Sequence, residues 1–133
     1  MGLGLILSGT AFSLSASAKG ELTQALPPQE VDILRDVARQ YGLSAAQTTL
    51  LLAIRKIENG GPGLEMGVAS DFPAHRSHRY AGDAARSLRL QACWAAGTIR
   101  RHFTGDLDAF AKRYCPPEWA HWRDMARHWM RRE

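Results

Sequence analysis

Apolar residues recur along this chain at spacings of three and four, and no stretch keeps a spacing of two. Val31, Leu34, Val37, Ala38 and Tyr41 form one such stripe. It opens at Pro27-Pro28, where proline suits a first helical turn, and stops at Gly42, so it predicts a helix over residues 28–41. Ser44 with Gln47 three residues on has the form of a capping box, and the helix it opens runs to Glu58 with Leu50, Leu51, Ile54 and Ile57 inward. Ala84, Leu88, Ala92, Ala95 and Ile99 predict a long helix over 81–103. Shorter helices fit 107–114 and 118–131, separated by Cys115-Pro116-Pro117. Between the second and third helices, residues 59–79 hold four glycines and two prolines and show no period. A loop that long inside a small domain is usually functional or mobile. The expected fold class is mainly α, a small helical domain with a long irregular loop.

The 133 residues suffice for one domain with a hydrophobic core. The first 18 residues stand apart. Residues 2–14 form a weakly apolar run followed by Ala16-Ser17-Ala18, a small-x-small cleavage pattern, although no Lys or Arg precedes the run. They are read as a signal peptide, residues 19–28 as a linker and 29–133 as the helical domain. On that reading the protein is exported, to the periplasm or the outside, and makes no stable membrane insertion after cleavage.

A formal charge of +4 fits an acidic or polyanionic partner without choosing among nucleic acid, anionic lipid and cell-wall polymer. No helix-turn-helix and no basic strip with interleaved aromatics is evident, so nucleic acid is not expected. Cys93 and Cys115 are the only cysteines, and neither lies in a CxxC motif. In an oxidising compartment they can pair; in a reducing one they stay buried thiols. His75 and His78 lie three apart with no third ligand fixed by a helix or strand, and no metal or other cofactor is expected. Trp119, Trp122, Ala126 and Trp129 share one stripe of the last helix, which reads as core in preference to a membrane-surface face.

Glu58 is the residue with chemistry to explain. Its spacing from Leu51 and Ile54 puts it on a core-facing side, and it ends an apolar helix immediately before Gly60-Gly61-Pro62-Gly63. Burial and the negative helix end both raise the pKa of a carboxyl group there, which suits a general acid. The plain alternative is an exposed ion pair with Arg55 one turn back, which acts in the opposite direction.

The segment LLAIRKIENGGPGLEMGV (residues 51–68) resembles the opening of the lysozyme-like fold shared by goose-type lysozymes, soluble lytic transglycosylases and many phage cell-wall hydrolases. In those families an apolar helix ends in the catalytic Glu, and a loop leads to a Gly-Leu-Met-Gln-like segment lining the cleft. FAKRYCPPEW (residues 110–119) resembles the later Ala-Tyr-Asn-Ala-Gly stretch and the Arg-Tyr-Cys-Pro ending of a small phage-associated branch. Asn59 stands where Ser is usual, no Gln follows Met66-Gly67-Val68, and there is no Tyr-Asn pair.

The resemblance spans roughly residues 29–130. It implies a monomeric enzyme that cleaves the glycan strands of peptidoglycan, as a lytic transglycosylase or a muramidase, with Glu58 as general acid/base. It also implies a cleft served by Met66, Gly67, Val68 and Tyr114. His75, Arg76 and Tyr80 are further candidates for sugar hydroxyls and the acidic peptide stem. A hydrolase needs a second carboxylate, for which Asp71 is the preferred candidate over Glu65 and Asp83. Two alternatives remain at this point: a non-catalytic lysozyme-like module that binds glycan or protein, and a basic helical domain that binds membrane or nucleic acid.

Overall fold

A computed structural model describes residues 19–60, 64–67 and 82–133. The expected signal peptide and most of the irregular loop, with Val68, Asp71, His75, Arg76, His78 and Tyr80, lie outside the described residues. Six helices are described: α1 (Glu21–Gln24), α2 (Pro28–Gln40), α3 (Ala45–Glu58), α4 (Ala84–His102), α5 (Leu107–Tyr114) and α6 (Trp119–Met130), with a 3-10 turn (Pro116–Glu118) before α6. No strand occurs among the described residues, and the class is mainly α.

The local starts follow from side-chain chemistry. Ser44 accepts from the Gln47 N–H while the Gln47 side chain accepts from the Ser44 N–H, so both halves of the capping box form. The Gln47 amide also donates to the Phe103 carbonyl at 3.0 Å, tying the start of α3 to the end of α4. Asp83 accepts from the Arg86 N–H and Asp106 from the Ala109 N–H, each opening a helix. Helix α4 therefore begins at Ala84, three residues later than periodicity suggested, and Ala84 is exposed instead of facing the core. Asp83 is used as a cap, which is the ordinary employment of an aspartate beside a helix start.

Helix α3 is the hub. Residues 50–55 are all buried, so it is enclosed on every side, and it packs against α1, α2, α4 and α6. The one charge in that run, Arg55, is paired across the helix pair with Glu30, with its Nε 2.7 Å and its Nη2 3.3 Å from the two carboxylate oxygens. Arg55 is therefore not the partner of Glu58. The Trp stripe of α6 is core at its centre, where Trp122 and Ala126 are buried, and half-buried at Trp119 and Trp129. Those outer rings carry cations on their faces, Lys112 at 4.6 Å from Trp119 and Lys56 at 5.1 Å from Trp129. No helix among the described residues is long and apolar enough to cross a membrane.

One expectation is corrected and one open alternative is resolved for the described structure. Residues 19–28 are not a linker: Leu22 is fully buried and Leu26 nearly so. The segment is clasped to the other end of the chain, where the Glu133 carboxylate accepts from the Thr23 N–H, the Thr23 hydroxyl and Arg35. A four-residue helix is too short to carry a periodic signal, which is why its burial was not visible. Cys93 and Cys115 are both free thiols. Cys93 contacts the Tyr41 hydroxyl between α2 and α4, whereas Cys115 follows α5 and faces Glu58 and Glu118, so the two serve different contacts.

Leu22→Ala should destabilise the fold by about 2–4 kcal/mol, the range for emptying a fully buried leucine site. Urea unfolding checks this, and a loss below about 0.5 kcal/mol would restore the linker reading.

Candidate active site

The last turn of α3 presents Glu58 at the point where the chain leaves the helix. Asn59 closes it in the left-handed conformation, φ 42°, and donates to the Arg55 carbonyl. Gly60 then meets Leu64: a Cβ at Gly60 would lie 2.0 Å from the Leu64 carbonyl oxygen, so only glycine allows this approach. The turn at residues 64–67 is thereby returned to the helix end it came from.

That turn rests on the Glu58 carboxyl group. Gly67 has φ +67°, and a Cβ built on it would stand 2.5 Å from Glu58 Cδ and 2.7 Å from Oε1. The backbone of Gly67 covers one face of the acid because no side chain intervenes. From helix α6, Trp122 Nε1 donates to Glu58 Oε2 at 2.9 Å. A buried indole N–H needs an acceptor, and a carboxylate is a strong one.

Three further bonds hold the turn in place. The Tyr114 hydroxyl donates to the Met66 carbonyl at 2.7 Å, and the Met66 N–H donates to Gln91 Oε1 at 3.2 Å. Gln91 Nε2 in turn donates to Glu65 at 2.7 Å and to the Ser87 hydroxyl at 3.1 Å. Gln91 is fully buried with both ends of its amide in use. Tyr114 stacks on Phe110 at 5.4 Å and leans on Trp122 at 5.3 Å, so the phenol and the indole that serve the site are packed on each other.

Electrostatics follow from this enclosure. Desolvation holds the Glu58 pKa above the ordinary glutamate value, and the Trp122 hydrogen bond only partly offsets it. The position at a helix C-terminus works in the same direction as burial. Burial, then the charge of Glu58, pushes the Tyr114 phenol far up, so it is a proton donor to Met66 throughout the accessible pH range. The thiol of Cys115 is also raised, by burial first and by Glu58 among other charges.

The sequence candidates divide as follows. Glu58, Gly67 and Tyr114 converge. Met66 belongs to the core by its side chain, fully buried, and contributes only its backbone, so the expectation that it binds substrate directly is corrected. Glu65 is buried against Gln91 and anchors the turn. Among the described residues no three His, Cys, Asp or Glu gather as a metal site. Trp122 and Gln91 were not singled out for this role. Trp122 sits 64 residues from Glu58 and its spacing advertises only a core stripe, while a glutamine inside an apolar helix face carries no signal of its partner.

With this geometry in hand, comparison of the chain with protein-family models, with curated proteins and with solved structures matches none of them.

Gly67→Ala should destabilise the protein by about 1–3 kcal/mol, since it adds both backbone strain and a clash with the carboxyl group. Thermal unfolding measures it; an unchanged midpoint would mean the turn does not rest on Glu58. A second expectation concerns pH. Below about 4.5, the unfolded-state value, Glu58 is protonated in both states and its contribution to stability is fully present. As pH rises towards the raised folded value, the native state keeps a proton that the unfolded state releases, so stability is lost. Glu58→Gln should therefore gain stability relative to the wild type as pH rises above about 4.5. Parallel urea titrations test this, and a gap that is flat or shrinks with pH contradicts a raised pKa.

Proposed function

We propose that the protein cleaves the glycan strands of peptidoglycan, with Glu58 as general acid/base. The observation that carries this reading is a carboxyl group at a helix end, half-buried, with a raised pKa, one oxygen fixed by Trp122 and one face covered by Gly67. It is supported by the resemblance of residues 51–68 to the helix and turn that bear the catalytic glutamate in lysozyme-like enzymes. A raised pKa keeps the proton on Glu58 where an ordinary glutamate has lost it, and the Trp122 bond to Oε2 fixes the orientation of the carboxyl group.

In the proposed reaction Glu58 gives its proton to the glycosidic oxygen as the bond from the anomeric carbon breaks. The resulting carboxylate then takes a proton from the incoming nucleophile. If that nucleophile is water positioned by a second carboxylate, the product is a reducing end; Asp71 is the candidate from the sequence. If it is a hydroxyl of the same sugar, the product is an anhydro-sugar and no second carboxylate is needed. Export to the compartment that holds the wall belongs to the same proposal.

Purified peptidoglycan incubated with the full chain should release fragments identifiable by mass spectrometry, with anhydro or reducing ends distinguishing the two outcomes. Glu58→Gln should lower the rate by about 10²–10⁴-fold, the share of a positioned general acid. Release that survives the substitution sinks the mechanism, and binding to peptidoglycan without release by either protein points to a non-catalytic module.

A further inference from the structure

Helix α4 buries two polar residues one turn apart, Ser87 and Gln91, among Leu88, Ala92 and Ala95. An apolar residue at either position would face the core without the cost of desolvating a polar group. What the two residues hold explains their presence. Gln91 grips the turn at residues 64–67 through the Met66 N–H, and Tyr114 grips the next peptide through the Met66 carbonyl. Within the turn the Gly67 N–H donates to the Leu64 carbonyl at 3.3 Å. We infer that Gln91 is a positioning residue for Glu58: its amide holds the peptide before Met66 and so sets the Gly67 backbone against the carboxyl group.

The partners leave the Gln91 amide a single orientation. Its oxygen meets a group that can only donate, the Met66 N–H at 3.2 Å. Its nitrogen meets groups that accept: a Glu65 oxygen at 2.7 Å, the Ser87 hydroxyl at 3.1 Å and the Ser87 carbonyl at 3.3 Å. A flipped amide would turn its oxygen to the Glu65 carboxylate and its hydrogens to the Met66 N–H. Glu65 and Ser87 therefore aim the Gln91 oxygen at the turn. Tyr114 fixes the neighbouring peptide from α5, so two helices hold adjacent peptide planes. A chain held at two successive planes has little freedom left at the residue that follows. That residue is Gly67, whose φ of +67° and missing Cβ bring it onto Glu58.

Cover is what the turn supplies to the acid. Desolvation is the larger influence on Glu58, and the Trp122 N–H from α6 acts against it. On α3 itself, Arg55 is paired with Glu30 and Lys56 lies over the Trp129 ring. From the α5 side the Tyr114 phenol and the Cys115 thiol face the acid, and burial keeps both neutral. In the turn, Glu65 is directed to Gln91. Among the described residues Glu58 thus answers to cover more than to charge. The role of Gln91 in a reaction rests on the cleavage reading above; its hold on the titration of Glu58 does not.

The test follows the Glu58 side-chain carboxyl resonance of the full chain, assigned with Glu58→Gln, through a pH titration. Gln91→Met keeps an unbranched side chain of similar volume and removes both hydrogen-bonding ends. Gln91→Glu/Glu65→Gln exchanges the pair instead. The amide at position 65 then donates to the carboxylate at position 91, whose second oxygen still accepts from the Met66 N–H, while Ser87 turns its hydroxyl to donate. With Gln91→Met the Glu58 midpoint should fall towards the ordinary value of 4.5. The Met66 N–H should exchange with solvent about tenfold faster or more, the share of one buried hydrogen bond. The exchanged pair should return both to wild-type values. In peptidoglycan release, the alkaline limb of the pH profile should move with the Glu58 midpoint, activity there falling about tenfold per pH unit moved.

An unchanged Glu58 midpoint in a folded Gln91→Met variant overturns the proposal and leaves Gln91 a packing role in α4 alone. Circular dichroism establishes folding. Should Gln91→Met not fold, the exchanged pair decides: a wild-type midpoint supports the grip, and a lowered one overturns it. A midpoint that moves while neither protein releases glycan keeps the positioning role and sinks the cleavage reading. Release by both proteins with an unmoved midpoint does the reverse.

Discussion

The carboxyl group of Glu58 sits where three separate parts of the chain meet, and each reaches it by a contact that tolerates little change. The turn at 64–67 approaches through a glycine without a Cβ, α6 through an indole N–H, and α5 indirectly, through a phenol bonded to the same turn. Removing the indole or the phenol would leave a buried acceptor without its partner, which costs more than the bond itself contributes, and a side chain at Gly67 would meet the carboxyl group. The acid is therefore the node on which the packing of α6 against α3 is registered, and α5 is tied to it through the turn. Helix α6 otherwise meets the hub by apolar contact and by Lys56 on the Trp129 ring, while α5 packs on α6.

Such an arrangement holds an ionisable group in surroundings that favour its neutral form, and the rest of the fold supplies the stability to keep it there. Leu50, Leu51, Leu52, Ala53 and Ile54 are buried in succession just before it. Arg55 is turned away to Glu30, so the one cation on the helix that stood to stabilise the anion is engaged elsewhere. Proteins commonly concentrate such local conflict where they act on something.

Much of the helical scaffold was legible because its signals are local. The stripe of Val31, Leu34, Val37 and Ala38, the Ser44–Gln47 box and the breaks at Gly42 and Cys115-Pro116-Pro117 each lie within a few residues of what they determine. Glu58 was legible for the same reason, being the last residue of an amphipathic pattern. What surrounds it was not legible in any spacing: Gly67 and Tyr114 were reached only through the resemblance and Trp122 not at all, because tertiary packing brings them there. Met66 illustrates the difference: its place in a motif suggested a cleft, while its side chain fills the core. Leu22 went unseen for want of length, since two leucines four apart do not make a period.

The clasp between residues 20–23 and 132–133 has a topological meaning. Backbone bonds from Gly20 to Glu133 and from Leu22 to Arg132 bring distant positions of the sequence side by side. A path that returns to its own start encloses the core as a loop, and closing such a loop by a short covalent bridge asks for little further ordering. The cyclic order of the helices, more than their linear order, then describes this domain. It is the kind of unit that a host protein can carry as an insertion, with both junctions at one spot and the acid site undisturbed.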